Sequence, residues 1–417
     1  MSRPIRWTSL QSHTGILNLA NSTNRSIAAS DFLSVPKQSL EFTPVPFDHP
    51  LMILYSSGTT GLPKPIVHAG GSLLIQFKKE HILHCDFTPK DVFFQFTTCA
   101  WMMWPWLVGA LTAGSTILIF DGSPFKPTPL SLWEMCDQEG VSAFGTSAKY
   151  IGTLEQGGIV PKSTLALSNL RLMMSTGSVL PPASFDYVYN AFPPKVQLSS
   201  ITGGTDICSL FGAPCPTLPV YTGDIQCRAL GMAVAAYDDA KSEVPTNHPG
   251  ELVCTRVFPV MPVGFWGKNG EEKYRASYFA RFPGTWHHGD YVAITRHGGM
   301  LMLGRSDSIL NPAGVRFGSA EIYNVLLARF AEEVADSVCV GQQREGDTDE
   351  RVLLFIKMEE GKELTTDLVG RIKKGIRGDL SPRHVPAVIA ACPDIPVSQP
   401  PPLFSLLKWW LIFASIL

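Results

Sequence analysis

Short apolar runs alternate with stretches of helical spacing from about residue 50 to about residue 210. Strands are predicted for the runs LMILY, DVFFQFT, VSAFGTS, LRLMMST and KVQLSS. Helices are predicted where apolar residues recur with helical spacing, in HAGGSLLIQFKKEHILHCDF, TPLSLWEMCDQEG and PASFDYVYNAF. Because strands that alternate with helices are typical of parallel sheets, this region predicts an α/β fold with a mostly parallel sheet. The continuously apolar run LMILY predicts a buried strand.

The pattern changes after about residue 210, where prolines and glycines become frequent. The β-like segments GELVCTRV and YVAITRHGGMLMLG predict an antiparallel or β-barrel-like subdomain. A smaller α+β unit follows, with a helix over 319–330, strands in DSVCVG and RVLLFIKM, and a helix in TTDLVGRIKKGIRGDL. The chain is therefore divided into an irregular segment 1–45, a large domain 46–306, a small domain 307–396 and a divergent tail 397–417, Pro-rich and then apolar.

The composition of the chain indicates which partners and which compartment are expected for the protein. The 417 residues carry a formal net charge of −2, so no basic surface predicts binding to nucleic acid. Nine cysteines without a Cys-x-x-Cys pair are typical of reduced thiols, which predicts a cytoplasmic protein rather than a disulfide framework. The apolar segment 403–417 is shorter than the ~20 residues of a membrane span. No membrane association is therefore expected, and an anchor formed by that tail is the less favoured alternative.

One loop carries the most specific chemistry. The stretch LYSSGTTGLPKPIVH places flexible backbone N–H groups and four hydroxyls directly after a strand, ahead of the charge of Lys64. Such a turn is suited to phosphate oxygens. The spacing of Gly58, Gly61 and Lys64 differs from Gly-x4-Gly-Lys-Ser/Thr, so the loop is not a Walker loop. A solvated Gly/Ser linker is the alternative, but linkers seldom follow a strand directly.

YSSGTTGLPKPIVH resembles the phosphate loop of the adenylate-forming superfamily, which contains acyl-CoA synthetases, luciferases and the adenylation domains of peptide synthetases. Further motifs of that superfamily follow in order: STGSVLPP, ITGGTDI, GELV, WHHGDY, GRSDSILNPAGVRFGSAEIYNVL and LSPRHVP. Within the superfamily, FTTCAWMMWPWLVGAL and ITGGTDICSLF are similar to acetoacetyl-CoA synthetases. The resemblance covers about residues 45–396 and implies the adenylate-forming fold, with a large N-terminal domain and a small, mobile C-terminal domain.

The resemblance implies a ligase reaction in two halves. A carboxylate attacks the α-phosphate of ATP to give an acyl-adenylate and pyrophosphate, and the thiol of CoA then displaces AMP. The implied substrates are ATP, CoA and acetoacetate, and the implied metal is Mg²⁺. The β- and γ-phosphates are expected to contact the loop residues Ser56, Ser57, Gly58, Thr59, Thr60, Gly61 and Lys64.

Three further positions match phosphate, metal and ribose contacts of the superfamily. Thr205 is expected to hydrogen-bond the α-phosphate, and Asp206 is expected to hold Mg²⁺ through a hard carboxylate oxygen. Many relatives carry glutamate at the metal position, so the shorter aspartate requires a closer approach or a bridging water. Asp290 matches the residue that accepts hydrogen bonds from both ribose hydroxyls, as one carboxylate can.

The remaining matches surround the nucleotide and the acyl group. Arg305 matches a ribose and phosphate contact, and Arg316 matches another phosphate contact. Gly177 and Ser178 match the segment that passes the adenine, where glycine permits close backbone approach. The aromatic-rich segment 101–106 is expected to form the wall of the acyl pocket, with about half of its side chains packed in the core.

Two residues match positions that serve the rotation of the small domain between the half-reactions. Asp307 corresponds to the hinge, and Gly314 to the glycine that lets the pantetheine arm of CoA pass. Large rotations at a few residues between domains are a known way of switching an active site.

Two features depart from the pattern of the superfamily. In relatives a substantial region precedes the phosphate loop, whereas here the loop begins at residue 56, so most of that region is expected to be missing. Relatives continue with IP-x-T-x-x-G-K, whose lysine reaches the α-phosphate, whereas this chain reads CPDIPVSQPPPLFSLLKWW. Loss of one preorganised cation costs ~10²–10³ in rate, so adenylation is expected to be impaired in a chain truncated at both ends.

The sequence thus predicts an acetoacetate–CoA ligase-like enzyme. One alternative is another short-chain acyl-CoA synthetase, acting on acetate or propionate. The other is a catalytically inactive protein that binds nucleotide or CoA. No Gly-x-Ser-x-Gly motif supports a serine hydrolase.

Overall fold

The computed structural model of the protein describes residues 39, 41–56, 63–306, 309–310, 317–342 and 351–395, with backbone alone for residues 309 and 320. The chain divides into a unit Met1–Val45 and a second unit Pro46–Leu417, which contains every strand and helix given below. None of the helices in these residues is long and apolar enough to cross a membrane. Residues 307 and 397 lie outside the described residues, so the domain boundaries at these positions stay predictions.

The strand before the phosphate loop is β1 (Pro50–Ser56), the edge of a small antiparallel sheet. It pairs with β2 (Lys64–Ala69), which pairs in turn with β13 (Gly264–Phe265). The strand predicted in LMILY is confirmed, but its predicted burial is wrong, since Leu51 and Tyr55 are 60% and 67% exposed. The physical reason is position in the sheet: the buried residues lie on the central strand β2, whereas β1 pairs on one side alone among the strands that the structure describes.

The helical spacing that follows β2 is confirmed, with one irregularity. Helix α1 spans Gly70–Lys78 and widens into a π-helical turn at Lys79–His84. There the N–H of Cys85 donates to the carbonyl oxygen of Glu80, five residues back, at 2.9 Å. Single π-helical turns within helices are rare and occur frequently at functional sites.

Five parallel strands form the central sheet: β3 (Val92–Gln95), β4 (Thr116–Leu118), β5 (Ala143–Ser147), β6 (Leu172–Thr176) and β7 (Gln197–Ser200). Their order is β4–β3–β5–β6–β7, and every pair is parallel. The intervening helices are α2 (Met103–Gly109), α3 (Ser131–Gln138), α4 (Ala148–Gln156) and α5 (Pro182–Ala191). Successive side chains face opposite sides, so Phe93 packs in one apolar core and Phe94 in another. The predicted α/β fold with a parallel sheet is confirmed.

Antiparallel sheets follow, as predicted. The first contains β8 (Thr202–Gly204), β9 (Ser209–Ala213) and β10 (Cys227–Arg228). The second has the order β11–β12–β14–β15, formed by β11 (Val234–Tyr237), β12 (Pro249–Cys254), β14 (Trp286–Ile294) and β15 (Met300–Arg305), with α6 (Gly270–Phe279) before β14. The barrel-like closure expected for this region is not found in the described residues, because β11 pairs with β12 alone and β15 lies at the opposite edge.

The last part of the chain has its own sheet and core. Its elements are β16 (Ile309–Leu310), β17 (Phe317–Gly318), α7 (Ser319–Phe330), β18 (Val334–Gln342), β19 (Arg351–Met358), α8 (Thr366–Asp379) and β20 (Val388–Ala391). β19 lies between β18 and β20, antiparallel to the first and parallel to the second. The helix predicted at 319–330 is confirmed at both ends.

Helix α8 shows why this sequence folds as it does. Its start is capped by the hydroxyl of Thr365, which accepts the N–H of Leu368 at 3.2 Å. Leu368, Ile372 and Ile376 recur every four residues on one buried face. They join Leu354 of β19 in an apolar core that is separate from those of the parallel sheet.

Candidate active site

A cavity of about 260 Å³ lies beside the carboxyl ends of β6 and β7. Open parallel sheets bind ligands at that end of their strands. The cavity brings together five of the predicted site residues, Gly177, Ser178, Thr205, Asp290 and Arg305. Its lining also includes Trp101, Met102, Met103, Ser209 and Leu210. The expected nucleotide contacts and the expected acyl wall therefore share one cavity.

Two glycines are required by the shape of this cavity. Gly177 follows β6 with a φ of +86°, a backbone conformation that is strained in any residue with a side chain. A Cβ there would lie 3.7 Å from the Trp101 ring. Gly203 lies in β8, where a Cβ would come within 1.8 Å of the carbonyl oxygen of Ser209. Gly203 thus lets β8 approach β9 more closely than any side chain allows, whereas Gly177 is required by its backbone conformation.

Asp206 lies in the turn between β8 and β9 and faces the start of β2. Its Oδ1 oxygen is 3.5 Å from Nζ of Lys64 and accepts a hydrogen bond from the hydroxyl of Tyr278. The Lys64 ammonium also lies over the Tyr278 ring, 5.0 Å from its centroid. Lys64 pairs across the strands with Ser56, so both described ends of the phosphate loop are fixed. Residues 57–62, between them, lie outside the described residues.

The charge state of Asp206 follows from these neighbours. Burial alone raises the pKa of this carboxyl, but electrostatic interactions with His288 and Lys64 and the hydrogen bond from the Tyr278 hydroxyl hold that pKa below its ordinary value. Burial and the adjacent carboxylate raise the pKa of Tyr278 far above its ordinary value, so its hydroxyl keeps the proton that it donates. Asp206 is therefore an ionised carboxylate at neutral pH.

This carboxylate fits the Mg²⁺ that the fold family implies. In the described part of the chain, Oδ2 of Asp206 has no hydrogen-bond partner, and the side chain is 16% exposed. Proteins usually hold Mg²⁺ with one or two carboxylates together with substrate phosphates and waters, rather than with a full set of protein ligands. The described residues hold no group of three or more His, Cys, Asp or Glu side chains suited to a metal.

The Thr205–Asp206 turn is also held from β2 by a histidine. Nε2 of His68 lies 3.1 Å from the carbonyl oxygen of Thr205. Burial lowers the pKa of His68 to about 4, so the ring is neutral at pH 7 and its Nε2–H is the donor. The turn is thus tied to β2 by its backbone at Thr205 and by its carboxylate at Asp206.

Asp290 and Arg305 lie directly opposite each other on β14 and β15. The guanidinium of Arg305 donates to Oδ1 of Asp290 at 2.9 Å. The second carboxylate oxygen, Oδ2, is 3.7 Å from Nε2 of His288, whose pKa is lowered by burial. A buried carboxylate oriented by a cation in this way is suited to accept the two hydroxyls of a ribose.

The approach to the predicted hinge is fixed by another buried carboxylate. Glu251, in the GELV motif, accepts a hydrogen bond from the hydroxyl of Ser306 and forms an ion pair with Arg281 at 2.6 Å. Nε2 of His287 lies 3.0 Å from the same carboxylate. The chain is therefore held in place up to the residue before Asp307. Asp307, Gly314 and Arg316 lie outside the described residues, and their roles stay predictions.

The predicted acyl wall is divided between cavity and core. Trp101, Met102 and Met103 line the cavity, whereas Trp106 is fully buried and does not line it. Neither Tyr278 nor Glu80 lies in a motif that predicts a role in the site. The carboxylate of Glu80 contacts both Trp106 and the cavity-lining Ser209. The one sequence signal for Tyr278 is aromatic spacing on α6. A glutamate within the helical spacing of residues 70–84 gives no such signal.

Comparisons with known proteins agree with this arrangement. The family description "AMP-binding enzyme" matches residues 9–261, which extends the resemblance toward the N-terminus. The acetoacetyl-CoA synthetase of Gallus gallus is 48% identical over 376 residues, which cover 89% of this chain and 56% of that protein. The malonamoyl-CoA synthetase of Penicillium aethiopicum is 48% identical over 377 residues, covering 87% of this chain and 51% of that protein.

A solved structure, the acetoacetyl-CoA synthetase from Streptomyces lividans, matches with a TM-score of 0.81 and 40% identity, over 88% of this chain and 55% of that one. The chain thus spans about half the length of the relatives that it matches. The family description covers more than half of this chain, and the solved neighbour has the same architecture. The chain therefore belongs to the AMP-binding enzyme family and has the adenylate-forming fold.

Proposed function

We propose that the chain belongs to an ATP-dependent acid–thiol ligase that forms acetoacetyl-CoA from acetoacetate, ATP and CoA. In the first half-reaction an acid oxygen bonds to the α-phosphorus of ATP, and the bond from that phosphorus to pyrophosphate breaks. In the second, the CoA sulfur bonds to the acyl carbon, and AMP leaves with the electron pair of the acyl–oxygen bond. The observation that carries the proposal is the single cavity in which Asp290, Arg305 and Thr205 meet the wall at Trp101.

Each side chain has a role in this proposal that follows from its geometry. Asp290, held by Arg305, accepts the ribose hydroxyls, and Thr205 donates to the α-phosphate. Lys64 contributes a cation beside the phosphates, and Asp206 holds Mg²⁺ through its open oxygen. Mg²⁺ supplies charge neutralisation at the phosphate oxygens when bound. The protein thus contributes positioning and electrostatic stabilisation, with little covalent chemistry of its own.

The identity of the acid is narrowed by the two kinds of relative. One is an acetoacetyl-CoA synthetase and the other a malonamoyl-CoA synthetase, at the same 48% identity. Acetoacetate and malonamate have the same heavy-atom shape and differ in a terminal methyl against an amino group. We assign the site to short acids with a carbonyl at the third carbon and favour acetoacetate. Acetate and propionate, which lack that carbonyl, are the alternative substrates.

A test of the proposal measures the half-reactions separately on this chain. Acetoacetate-dependent exchange of labelled pyrophosphate into ATP reports adenylation. Formation of thioester from synthetic acetoacetyl-adenylate and CoA reports the second half. Since the lysine pattern after Ile395 is absent, we expect weak exchange and measurable thioester formation. Binding of ATP with neither reaction supports the alternative of an inactive nucleotide-binding protein, and exchange with acetate alone supports an acetyl enzyme.

A further inference from the structure

The part of the cavity wall formed by β9 and α2 is held by a buried carboxylate, that of Glu80. We propose that Glu80 is a positioning residue that fixes the acyl end of the cavity and thereby restricts the acid to a short one. The inference rests on the proposed function, because it concerns the acid that the same cavity accepts. It assigns a role to a residue that lies outside the cavity lining.

One oxygen of Glu80 holds the strand that lines the cavity. Oε1 accepts the hydroxyl of Ser209 at 2.6 Å and the backbone N–H of Leu210 at 3.1 Å. Both residues line the cavity at the start of β9. The same oxygen accepts the amide of Gln76 at 3.0 Å, and Nζ of Lys79 lies 3.5 Å away. The start of β9 is therefore fixed by a charged group that has no access to water, since Glu80 is 0% exposed.

The other oxygen of Glu80 holds the helix on which the acyl wall continues. Oε2 accepts the indole N–H of Trp106 at 2.7 Å. Trp106 lies in α2, and Met103 of the same helix lines the cavity. One carboxylate thus joins two elements that line the cavity, β9 and α2.

The position of Glu80 depends on the π-helical turn. The turn begins at Lys79, and the carbonyl of Glu80 itself accepts the wide hydrogen bond from Cys85. Ionised groups are rarely buried unless they are fully hydrogen-bonded, and loss of one partner leaves a costly unpaired group. A cavity excludes acids that are longer by a few methylenes only if its wall is rigid. Because Glu80 holds β9 and α2 in place, it sets the length of acid that the cavity accepts.

Glu80→Gln tests whether the contacts of Glu80 with β9 and α2 fix the cavity wall, with almost no change in side-chain volume. The glutamine oxygen can keep the bonds to Ser209 and Leu210, but its amide NH₂ then faces the indole N–H of Trp106, donor against donor. Trp106→Phe removes the indole donor, so the double variant E80Q/W106F relieves this conflict. Ser209→Ala keeps the carboxylate and removes one of its two bonds to β9, while the bond from the backbone N–H of Leu210 remains.

The measurement is equilibrium binding of non-hydrolysable acyl-sulfamoyl adenosines by calorimetry, with AMP as the reference ligand. The acyl groups are acetoacetyl and octanoyl, and thermal unfolding of each variant confirms that it folds. The wild-type chain is expected to prefer acetoacetyl. E80Q is expected to reduce that preference about tenfold without changing the affinity for AMP, and S209A to reduce it less. The double variant is expected to recover part of the preference.

The outcomes separate the two proposals. If the wild-type chain binds AMP but does not prefer the acetoacetyl compound, the proposed substrate is wrong. Glu80 is a purely structural residue if E80Q and S209A prefer the acetoacetyl compound over the octanoyl compound as strongly as the wild type does. The same conclusion follows if the variants lose affinity for AMP and for both acyl compounds to the same extent. If E80Q does not fold, S209A decides in the same way.

Discussion

The hydroxyl of Tyr278 donates to the same Oδ1 oxygen of Asp206 that lies 3.5 Å from Nζ of Lys64. The two donors come from α6 and β2, so elements far apart in sequence meet at one carboxylate oxygen. This arrangement directs Oδ2 away from both donors. Tyr278 is therefore placed to orient the oxygen that we assign to Mg²⁺.

Tyr278→Phe is expected to weaken Mg²⁺-dependent ATP binding about tenfold, because a hydrogen bond to a charged group contributes about 1.5–3 kcal/mol. The ring keeps its stacking on Trp286, with centroids 3.9 Å apart, so the fold is preserved. Calorimetry of ATP with and without Mg²⁺ measures the effect. Tyr274→Phe is the matched control, since Tyr274 lies one turn earlier on α6 and packs against the same Trp286. Equal loss in the two variants, or loss without Mg²⁺ as well, contradicts an orienting role.

Asp206→Ala is expected to abolish the Mg²⁺-dependent part of nucleotide binding and to leave binding of AMP without metal within about twofold. The physical reason is that the carboxylate supplies the hard oxygen, whereas the ribose contact at Asp290 is untouched. Titration of Mn²⁺ into the ATP complex, followed by electron paramagnetic resonance, gives a direct readout of metal binding. Unchanged metal affinity removes Asp206 from the site.

Much of the fold could be predicted from local pattern. Helix α7 at 319–330 and strand β19 at 351–358 were predicted with their observed ends, because α7 has apolar residues at helical spacing and β19 is a short, continuously apolar run. The exposure of β1 could not be predicted, because a run of apolar residues does not reveal which neighbours a strand has. Burial at an edge depends on the other elements of the sheet and not on the strand itself.

The candidate site, too, could be predicted only in part from the sequence. Asp290, Arg305 and Thr205 were predicted as site residues because they lie in motifs that resemble those of a known superfamily, and all three line the cavity. Glu80 acts through Ser209, 129 residues away, and Tyr278 through Asp206, 72 residues away. Contacts between residues so far apart in the chain are set by tertiary packing, and no local spacing predicts them.

Asp290→Asn is expected to weaken AMP binding about tenfold, because an amide presents one acceptor oxygen to the two ribose hydroxyls and loses the charge that Arg305 pairs with. The matched ligand is 2′,3′-dideoxy-AMP, which lacks both hydroxyls. Its affinity is expected to be low for the wild type and nearly unchanged by the substitution. A similar loss for both ligands shows that Asp290 supports the structure around Arg305 and does not contact the ribose.

The stability of the fold is expected to fall in acid because burial lowers the pKa of several histidines, among them His68 and His81. Burial lowers the pKa of His68 and of His81 to about 4 from 6.5, although Asp206 and Glu80 respectively act in the opposite direction. Between these values the unfolded chain binds protons that the folded chain excludes, so the free energy of unfolding decreases as pH falls from 6.5 towards 4. Each histidine contributes about 3 kcal/mol or less to this loss.

His81→Gln tests the assignment, because its amide can still donate to the carbonyl of Trp106, which Nε2 of His81 now contacts at 2.8 Å. The free energy of unfolding by urea is measured at several pH values between 7 and 4. The variant is expected to be less stable at pH 7, having lost the ring that stacks on Phe87, yet to depend less steeply on pH by up to one proton. An equally steep dependence in both proteins means that His81 is not excluded from protonation in the folded state, and the acid sensitivity then belongs to other groups.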